Sequence, residues 1–456
     1  MLRFVVILSM LLVFLTCKKN PVGPQVTPNV QLSTEYVSCT EVWLKIGFAD
    51  SPSGGDYRIT RGGTTVLTGT FSGATAVVCD TTGQANNYYS YTAYKLVNGQ
   101  VKEISPPLQA TTLNSTSHNF SWQTFVIGDL GYASNILRDV AIVNDTLVYA
   151  VGEIYLKDSA GHVDPNAYNL AKWDGHTWQP LRVYFQTVCG QFNLTPYPAQ
   201  AIFAQSASDV WIEGAGEITR WNGISQSPPV CVESPISFDI HRIWGSDSNS
   251  VFAVGYGGSI AHYSQGIWHM MQSGTTMSLQ DVYGSPDGSV TYASGYSIQT
   301  GESVVLKYEG TSWQTIYSTR PSDPLWNLHL RDTLCGGVTS VWTETGKDLW
   351  SAANGVYRSL FSNGGRIDRL SWWPNYVIGF PWMLRGDGQN DLILVGDYST
   401  LVHWNGSTWM DFSSQFASLG GSLRSVAVSN HLVVAVGYTD NTGGLQTKAV
   451  AIIGKR

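Results

Sequence analysis

The side chains that could bind a metal or transfer protons are spread along this chain rather than grouped. His162 and Asp164 are close in sequence, but they lie in a polar stretch beside Pro165. A metal centre needs several His, Cys, Asp or Glu side chains that converge on one ion. A single pair next to a proline is more typical of a solvated turn. The sequence therefore predicts neither a metal site nor a cofactor.

Motifs for nucleophilic catalysis are also missing. No nucleophile elbow and no phosphate-binding loop can be read in the sequence. His262 and His403 occupy equivalent places in a repeat, which makes them repeat residues rather than ligands. The net charge of −7 argues against a nucleic-acid partner, because phosphate contacts need a basic face. We therefore expect a protein that binds rather than catalyses.

A short hairpin pattern recurs along most of the chain. Each copy alternates apolar and polar residues up to an Asp-Gly, Asn-Gly or similar pair, and most continue to a Trp. Such pairs favour a two-residue type I′ turn, because both residues adopt positive φ at low cost. Copies at intervals of roughly 40–60 residues indicate a repeat architecture. They begin at Ala171, Leu306 and Val402, with looser copies at Arg220 and Ala261.

A second pattern, two short β-rich runs joined by polar turn residues, precedes the hairpins. It is clearest at 240–255. Together the two patterns predict four strands per repeat, which is typical of a β-propeller blade. We predict seven blades over residues 118–456, with six as the alternative because the second and fifth repeats are degraded. The innermost strands are expected near Val140, Ile202, Ile243, Val282, Val341, Leu384 and Val426.

The last repeat lacks its fourth strand. A matching strand lies upstream at 121–127, which predicts a ring closed by strands from both ends of the propeller region. The Trp-Gly and Ala-Val-Gly phrases resemble propeller repeats that are common in exported bacterial surface proteins. Ser285 to Tyr292 distantly resembles an Asp-box, which implies a structural turn and no catalysis.

Residues 30–113 read as short strands separated by frequent turns, which is typical of an immunoglobulin-like sandwich. Trp43 on the second strand and the Tyr89, Tyr91 and Ala93 pattern resemble a fibronectin type III module. The alternative is another immunoglobulin-like sandwich. The predicted fold class is therefore all-β, with a fibronectin type III-like sandwich followed by a seven-bladed propeller.

The N-terminus reads as a targeting signal. A basic start and an apolar run end at Cys17, and the run is too short to span a bilayer. This segment resembles a bacterial lipoprotein signal, which implies a signal peptide at 1–16 and a lipidated Cys17. Residues 17–29 would be a flexible tether, and the protein would be anchored in the cell envelope, at the outer membrane or cell surface. A plain secretory signal is the alternative.

An exported chain allows disulfides. In a sandwich of this type the connections that carry Cys39 and Cys79 could meet at one end, which suggests a bridge between them. Cys189 and Cys231 lie on neighbouring predicted loops, which suggests a second bridge and leaves Cys335 unpaired.

The working face is predicted from loop lengths. The tight hairpins share one rim, and the long insertions at 153–169, 183–199, 224–239, 317–336 and 371–381 share the other. Long loops on one face often bind partners. An aromatic platform is expected there, formed by Tyr184, Phe185, Trp326, Trp372, Trp373 and Tyr376. The alternative is that these side chains pack the loops against the blades.

The predicted function is a monomeric, non-catalytic surface module that binds a glycan or an extracellular protein and touches the membrane only through its lipid. The alternatives are a structural subunit of an envelope assembly and a propeller glycosidase. A sialidase-like glycosidase would need three converging arginines and a tyrosine nucleophile, but arginines are few and its Arg-Ile-Pro phrase is missing.

Overall fold

The computed structural model describes residues 29–129, 135–186, 188, 193–232, 239–297, 299–319, 337–360, 366–370, 379–440 and 446–456. Regular structure in these ranges is almost entirely β-strand, which confirms the all-β prediction. The helical elements described are one short α-helix, α1 (Ser413–Phe416), and 3-10 turns at Tyr256–Gly258 and Ala417–Leu419. None of these is long and apolar enough to cross a membrane.

Two antiparallel sheets that share one apolar core form the N-terminal unit. Leu44 and Ile46 of one sheet pack against Ile59 and Tyr91 of the other. The Tyr91 hydroxyl donates a 2.8 Å hydrogen bond to Asp80, so the polar tip of this buried ring is also paired. One sheet has the order β1 (Val30–Val37), β2 (Val42–Phe48), β5 (Thr75–Asp80); the other has the order β4 (Thr64–Ser72), β3 (Gly54–Arg61), β6 (Tyr88–Val97), β7 (Gln100–Ile104), with β8 (Leu108–Thr111) also paired to β6.

The prediction of a Cys39–Cys79 bridge is wrong, because the two sulfurs are not bonded to each other. Cys79 lies on β5 opposite Trp43 of β2 and packs beside that ring. Cys39 is fully buried in the turn after β1, where its thiol donates a 3.2 Å hydrogen bond to the carbonyl of Asn114. The turn directs Cys39 toward the neighbouring propeller sheets and away from β5.

Seven four-stranded antiparallel sheets follow within the described residues, numbered here one to seven in chain order. Sheet one is β10 (Ile136–Asn144), β11 (Leu147–Ile154), β12 (Tyr168–Trp173), β13 (Trp178–Leu181), and a ribbon, β14 (Phe185–Gln186) with β15 (Leu194–Thr195), precedes sheet two; sheet two is β16 (Ala199–Ser206), β17 (Asp209–Gly214), β18 (Glu217–Trp221), β19 (Val230–Cys231); sheet three is β20 (Ile240–Asp247), β21 (Ser250–Gly255), β22 (Ile260–Ser264), β23 (Ile267–Met271); sheet four is β24 (Leu279–Gly284), β25 (Thr291–Tyr296), β26 (Ser303–Tyr308), β27 (Trp313–Thr319).

The remaining three sheets have the same order. Sheet five is β28 (Ser340–Trp342), β29 (Asp348–Ala352), β30 (Val356–Leu360), β31 (Arg366–Leu370); sheet six is β32 (Pro381–Gly388), β33 (Asp391–Gly396), β34 (Leu401–Trp404), β35 (Trp409–Asp411); sheet seven is β36 (Ser422–Ser429), β37 (Leu432–Thr439), β38 (Lys448–Lys455), β9 (Ser121–Ile127).

The first strands of the seven sheets lie side by side. Each contacts the first strand of the next sheet, and β36 of sheet seven contacts β10 of sheet one. These strands carry the apolar residues that the repeat pattern placed innermost, such as Ile243 and Val282, and both are buried. This arrangement is that of a propeller, with sheets packed face to face around a central channel.

Strand β9 connects two parts of the chain that are far apart in sequence. It is antiparallel to β38, with Ser121 opposite Lys455 and Ile127 opposite Ala449. Phe125 on β9 also packs on Trp173 of sheet one, with ring centroids 4.9 Å apart. One strand therefore completes sheet seven and seals it against sheet one.

Turns between the third and fourth strands differ from the predicted geometry. Trp173 pairs with Trp178, which leaves a four-residue loop instead of a two-residue one. Asp174 caps this loop, because its Oδ1 accepts hydrogen bonds of 2.8 and 2.7 Å from the two backbone N–H groups after the glycine. Gly175 is the loop residue with positive φ, at +97°. The type I′ prediction is therefore wrong for this copy.

The same capped loop recurs at Asn405, whose Oδ1 accepts 2.9 and 2.7 Å bonds from the second and third residues that follow. Asp and Asn are favoured here because a short side-chain oxygen can bind backbone N–H groups two and three residues ahead. A two-residue turn with two positive φ values, as type I′ requires, occurs at Gln265–Gly266. The pattern thus predicts where the chain reverses better than how it reverses.

Glycines set the spacing between neighbouring sheets. A β-carbon at Gly284 would lie 2.5 Å from the ring of Trp244 in the preceding sheet, and one at Gly245 would lie 3.0 Å from Phe203. The aromatic residue of one repeat therefore occupies space that the next repeat leaves open. This contact explains why the repeat pairs an aromatic residue with glycine.

The sandwich packs directly on sheets five and six. Tyr36 donates a 3.4 Å hydrogen bond to Asp348, and Glu41 pairs with Arg358 at 2.8 Å. The Gln389 side chain donates a 2.7 Å hydrogen bond to the carbonyl of Val37. These contacts lie at the end of the sheets that carries the first-to-second and third-to-fourth turns, which we call the hairpin rim. The opposite end, with the other connections, is the loop rim.

Most of the predicted insertions that the described residues cover lie at the loop rim. Residues 153–169 join β11 to β12, and 183–199 join β13 to β16. Ile224 is an exception, because it lies in the turn between β18 and β19 at the hairpin rim. The prediction that all of 224–239 belongs to the loop rim is therefore wrong.

Candidate functional site

The central channel opens at the loop rim through a ring of side chains that the repeat itself creates. Each first strand begins there, and in six of the seven sheets its second or third residue is bulged out of register with the neighbouring strand. A bulge leaves one residue without a partner in the ladder and redirects its side chain. The bulged residues are Arg138, Gln200, His241, Gln280, Trp382 and Arg424.

These six residues line one cavity of about 340 Å³, which we call the channel mouth; its other lining residues are Ile136, Arg242, Tyr296, Thr339 and Met383. None of these six residues was predicted from the sequence to belong to a site. Their signal is a polar or aromatic residue inserted among apolar ones where each first strand begins, as at Arg138 and His241. That signal marks one position in each repeat. The side chains at this position meet at one cavity only because the first strands of the sheets are arranged in a ring.

Arg424 and Trp382 form the most distinctive part of the channel mouth. The Arg424 guanidinium lies 4.0 Å from the centre of the Trp382 ring, and its Nη2 is 3.4 Å from the hydroxyl of Tyr438. Trp382 is fixed in turn by a 2.6 Å hydrogen bond from its Nε1 to Asp397. Among the described residues Arg424 forms no ion pair, and its Nε is buried without a hydrogen bond there. An unpaired guanidinium on an aromatic face can bind a carboxylate or a carbonyl of a partner.

The other charged groups of the channel mouth have internal partners. Arg138 forms an ion pair with Glu153 of β11. His241 Nδ1 is 2.8 Å from the carbonyl of Leu279, and the neighbouring Asp239 has a pKa lowered by its hydrogen bond to His241. The channel mouth is therefore polar, but its charges are largely compensated except at Arg424.

A layer of paired charges lies deeper in the channel. Arg385 binds Asp281 through two hydrogen bonds of 2.6 and 2.9 Å. Arg242 forms an ion pair with Asp139, and Ser425 donates a 2.7 Å hydrogen bond to the same carboxylate. These residues come from different sheets, so the layer ties the innermost strands together across the channel. A second cavity, of about 290 Å³, lies on its far side.

The predicted aromatic platform is only partly within the described residues. Phe185 is fully buried and packs over Gly214, so it supports the blades and cannot belong to an exposed platform. Tyr184 is 40% exposed but does not line the channel mouth. The other four members of the platform lie outside the described residues: Trp326, Trp372, Trp373 and Tyr376.

Two further predictions involve residues without a described placement. Cys189 and Cys335 lie outside the described ranges, so the Cys189–Cys231 bridge remains a prediction. Lipidation at Cys17 remains a prediction for the same reason.

In the part of the chain that the structure covers, no group of three or more His, Cys, Asp or Glu side chains could hold a metal ion.

Comparison with solved structures supports the architecture. YCF48 bound to D1 peptide matches 75% of this chain and 97% of its own, with a TM-score of 0.51 and 15% identity. The likeness shows a propeller fold. YCF48 from Cyanidioschyzon merolae matches 73% of the chain at 13% identity, with a TM-score of 0.48.

The extracellular domain of the one-component system BT4673 from B. thetaiotaomicron matches 67% of this chain and 38% of its own, at 15% identity and a TM-score of 0.43. No protein-family model matches the sequence, and no curated protein matches it. The propeller fold therefore rests on the structure and on its likeness to YCF48 bound to D1 peptide, and function has to be argued from the site.

Proposed function

We propose that this chain is a non-catalytic binding module that captures a protein partner at the loop rim, with the channel mouth as its central contact. The observation that carries the proposal is the uncompensated Arg424 on the face of Trp382, in a cavity lined by bulged residues from six sheets. Arginine and tryptophan are the residue types most often found at the energetic centre of protein interfaces.

The position of the sandwich supports the choice of rim. Its contacts with sheets five and six lie at the hairpin rim, so the sandwich leaves the channel mouth uncovered. YCF48, which has a similar fold, was solved with a bound peptide. A peptide ligand is consistent with a cavity of about 340 Å³, which can hold one or two side chains of a partner.

The proposal also covers the number of blades, the closure of the ring and the type of the N-terminal domain. We infer a seven-bladed ring closed through β9, preceded by a fibronectin type III-like sandwich at 30–113. The contact of β36 with β10 and the pairing of β9 with β38 support this description. The proposal keeps Trp326, Trp372, Trp373 and Tyr376 as candidate contact residues for the partner.

Anchoring at the cell envelope completes the proposal. A lipidated Cys17 followed by a tether at 17–29 would hold the two domains away from the membrane surface. Replacing Cys17 with Ser should release the protein or leave its apolar segment uncleaved. Unchanged membrane fractionation and processing of this variant would exclude the lipid anchor.

Site-specific photo-crosslinking in the cells that express the protein tests the binding face. A photoreactive residue at Gln280, in the channel mouth, should give a discrete protein adduct. The matched control carries the same residue at His176, in a third-to-fourth turn at the hairpin rim. Adducts at His176 alone, or none at Gln280, would refute a partner at the channel mouth.

The identified partner then allows a direct affinity measurement. Replacing Arg424 with Ala should weaken binding at least tenfold, because the central charged contact is lost. Arg220, which pairs with Asp209 on the exposed face of sheet two, provides the control, since its replacement with Ala should leave affinity unchanged. Equal affinities of the two variants would place the energetic centre elsewhere.

A further inference from the structure

The second cavity of the channel, beyond the layer of paired charges, has the features of a small-molecule site. Its volume is about 290 Å³, which is at the lower end of the range for ligand pockets. Three aromatic side chains from consecutive sheets line it: Phe203 of β16, Trp244 of β20 and Tyr283 of β24. Trp244 and Tyr283 are neighbours, with ring centroids 5.6 Å apart.

The polar side of this cavity carries no net charge. Asp139, Arg242 and Arg385 line it, and the carboxylate of Asp281, which is fully buried, lies directly behind Arg385. Two arginines and two aspartates pair with each other, so a charged ligand would find no countercharge. A neutral ligand that offers hydroxyl groups meets both donors and acceptors.

Two donor atoms of Arg242, Nε and Nη1, are buried and have no hydrogen bond among the described residues. Nη1 belongs to the ion pair with Asp139, whereas Nε lies 3.7 Å from Asp281 Oδ1, which is too far for a hydrogen bond. A buried donor without a partner is costly, and a ligand oxygen could relieve that cost. Small side chains keep the cavity open on its other walls, where Ala141, Ala204 and Ala427 lie.

We propose that this cavity binds a small neutral polyhydroxylated ligand of the monosaccharide class. A sugar ring presents an apolar face that packs on aromatic side chains and a rim of hydroxyls that hydrogen-bond with charged groups. The aromatic wall and the neutral polar layer of this cavity match those two requirements. The inference does not depend on the proposed function, because the channel mouth lies on the opposite side of the charged layer.

Calorimetry and ligand-observed NMR with purified full-length protein test this site, using glucose, galactose, mannose and N-acetylglucosamine. At least one sugar should bind saturably. Ala427→Leu fills the cavity from β36 and should weaken that binding at least tenfold, while the melting temperature stays within a few degrees. Ala141→Leu, on β10, fills it from another strand and replaces the first variant if that one does not fold.

Gln280→Leu provides the control, because Gln280 lines the channel mouth and not this cavity. Its sugar affinity should equal that of the unmodified protein. The site is refuted if none of the four sugars binds saturably. It is also refuted if Ala427→Leu or Ala141→Leu binds sugar as tightly as Gln280→Leu does.

Discussion

The Nδ1 atoms of His118 and His403 lie 2.8 Å apart, and this contact joins the segment between β8 and β9 to the hairpin of sheet six. His403 Nε2 is 2.9 Å from Asp391, which assigns its proton to Nε2 and makes its Nδ1 an acceptor. His118 then donates from Nδ1, and its Nε2 accepts from the hydroxyl of Thr408 at 3.0 Å. Only one proton fits between the two Nδ1 atoms, so the two rings cannot both be protonated.

Because of the contact between His118 and His403, the folded protein should be less stable at acidic pH. Burial lowers the pKa of both His118 and His403 in the folded protein. A histidine of the unfolded chain keeps the ordinary pKa of about 6.5, so below that pH the unfolded chain binds more protons than the folded protein does. The stabilisation is present above that pH and is lost as the pH falls below it. Melting temperatures between pH 5 and 8 should decrease toward acid.

His118→Asn tests the assignment, because an amide N–H can still donate to His403 but cannot titrate. Its melting temperature should depend less on pH than that of the unmodified protein. His176 is exposed in a turn, so His176→Asn should leave the pH profile unchanged. Identical profiles for all three proteins would exclude His118 as a source of acid sensitivity.

Glu213 should have the opposite pH dependence. Its side chain is fully buried in sheet two, and burial raises its pKa well above the ordinary value. The folded state therefore holds a proton that the unfolded state releases, and stability falls as the pH rises above about 4.3. Glu213→Gln keeps an acceptor for the N–H of Gly216 and should raise the free energy of unfolding at pH 7 by about 1–3 kcal/mol.

Chemical denaturation at pH 5 and pH 8 provides the measurement for Glu213→Gln. The gain should be larger at pH 8. Glu309, which is exposed in a turn of sheet four, supplies the control, and Glu309→Gln should change stability by less than about 0.5 kcal/mol. A destabilised Glu213→Gln would mean that the ionised carboxylate is required.

The turn glycine of sheet six should tolerate substitution less well than its equivalent in sheet one. A β-carbon at Gly406 would lie 2.3 Å from the sulfur of Cys39 in the sandwich and 2.8 Å from Cβ of Asn390 in sheet six, whereas one at Gly175 would meet only Thr146, at 3.3 Å. Both glycines have positive φ, at +92° and +97°, so alanine imposes the same backbone cost at each.

The difference between Gly406→Ala and Gly175→Ala therefore measures the clashes with Cys39 and Asn390, and the part that Cys39→Ala recovers isolates the contact between the two domains. We expect Gly406→Ala to cost about 1–3 kcal/mol more in free energy of unfolding. Cys39→Ala in the same chain should recover much of that loss, because it removes the clashing sulfur. Equal costs for the two glycine variants would contradict the docking of the sandwich at this turn.

The junction between sheets seven and one should depend on one face of β9. Phe125 packs on Trp173, while its neighbour Val126 is half exposed on the other face of the strand. Phe125→Ala should lower the free energy of unfolding by about 3 kcal/mol or more, and Val126→Ala by less than about 0.5 kcal/mol. Thermal unfolding followed by tryptophan fluorescence measures both, and similar losses would show that β9 does not seal this junction.

The repeat and its strands could be predicted from the sequence because their causes are local. The spacing of Asp-Gly and Asn-Gly pairs marks where the chain reverses, and alternation of apolar residues marks the strands between. The innermost residues, such as Ile243 and Val282, followed from the same pattern. The geometry of the turns could not be predicted in this way, since Asp174 caps a four-residue loop where a two-residue turn was expected.

Tertiary structure decided what the repeats bring together. Arg424 and Arg138 are far apart in sequence, and they line one channel mouth only because seven first strands pack in a ring. Docking of the sandwich turned Cys39 toward Gly406 and away from Cys79, which no spacing of cysteines could indicate. Local patterns determine which segments become strands, whereas contacts between distant segments arise only when those strands bury their apolar faces against one another.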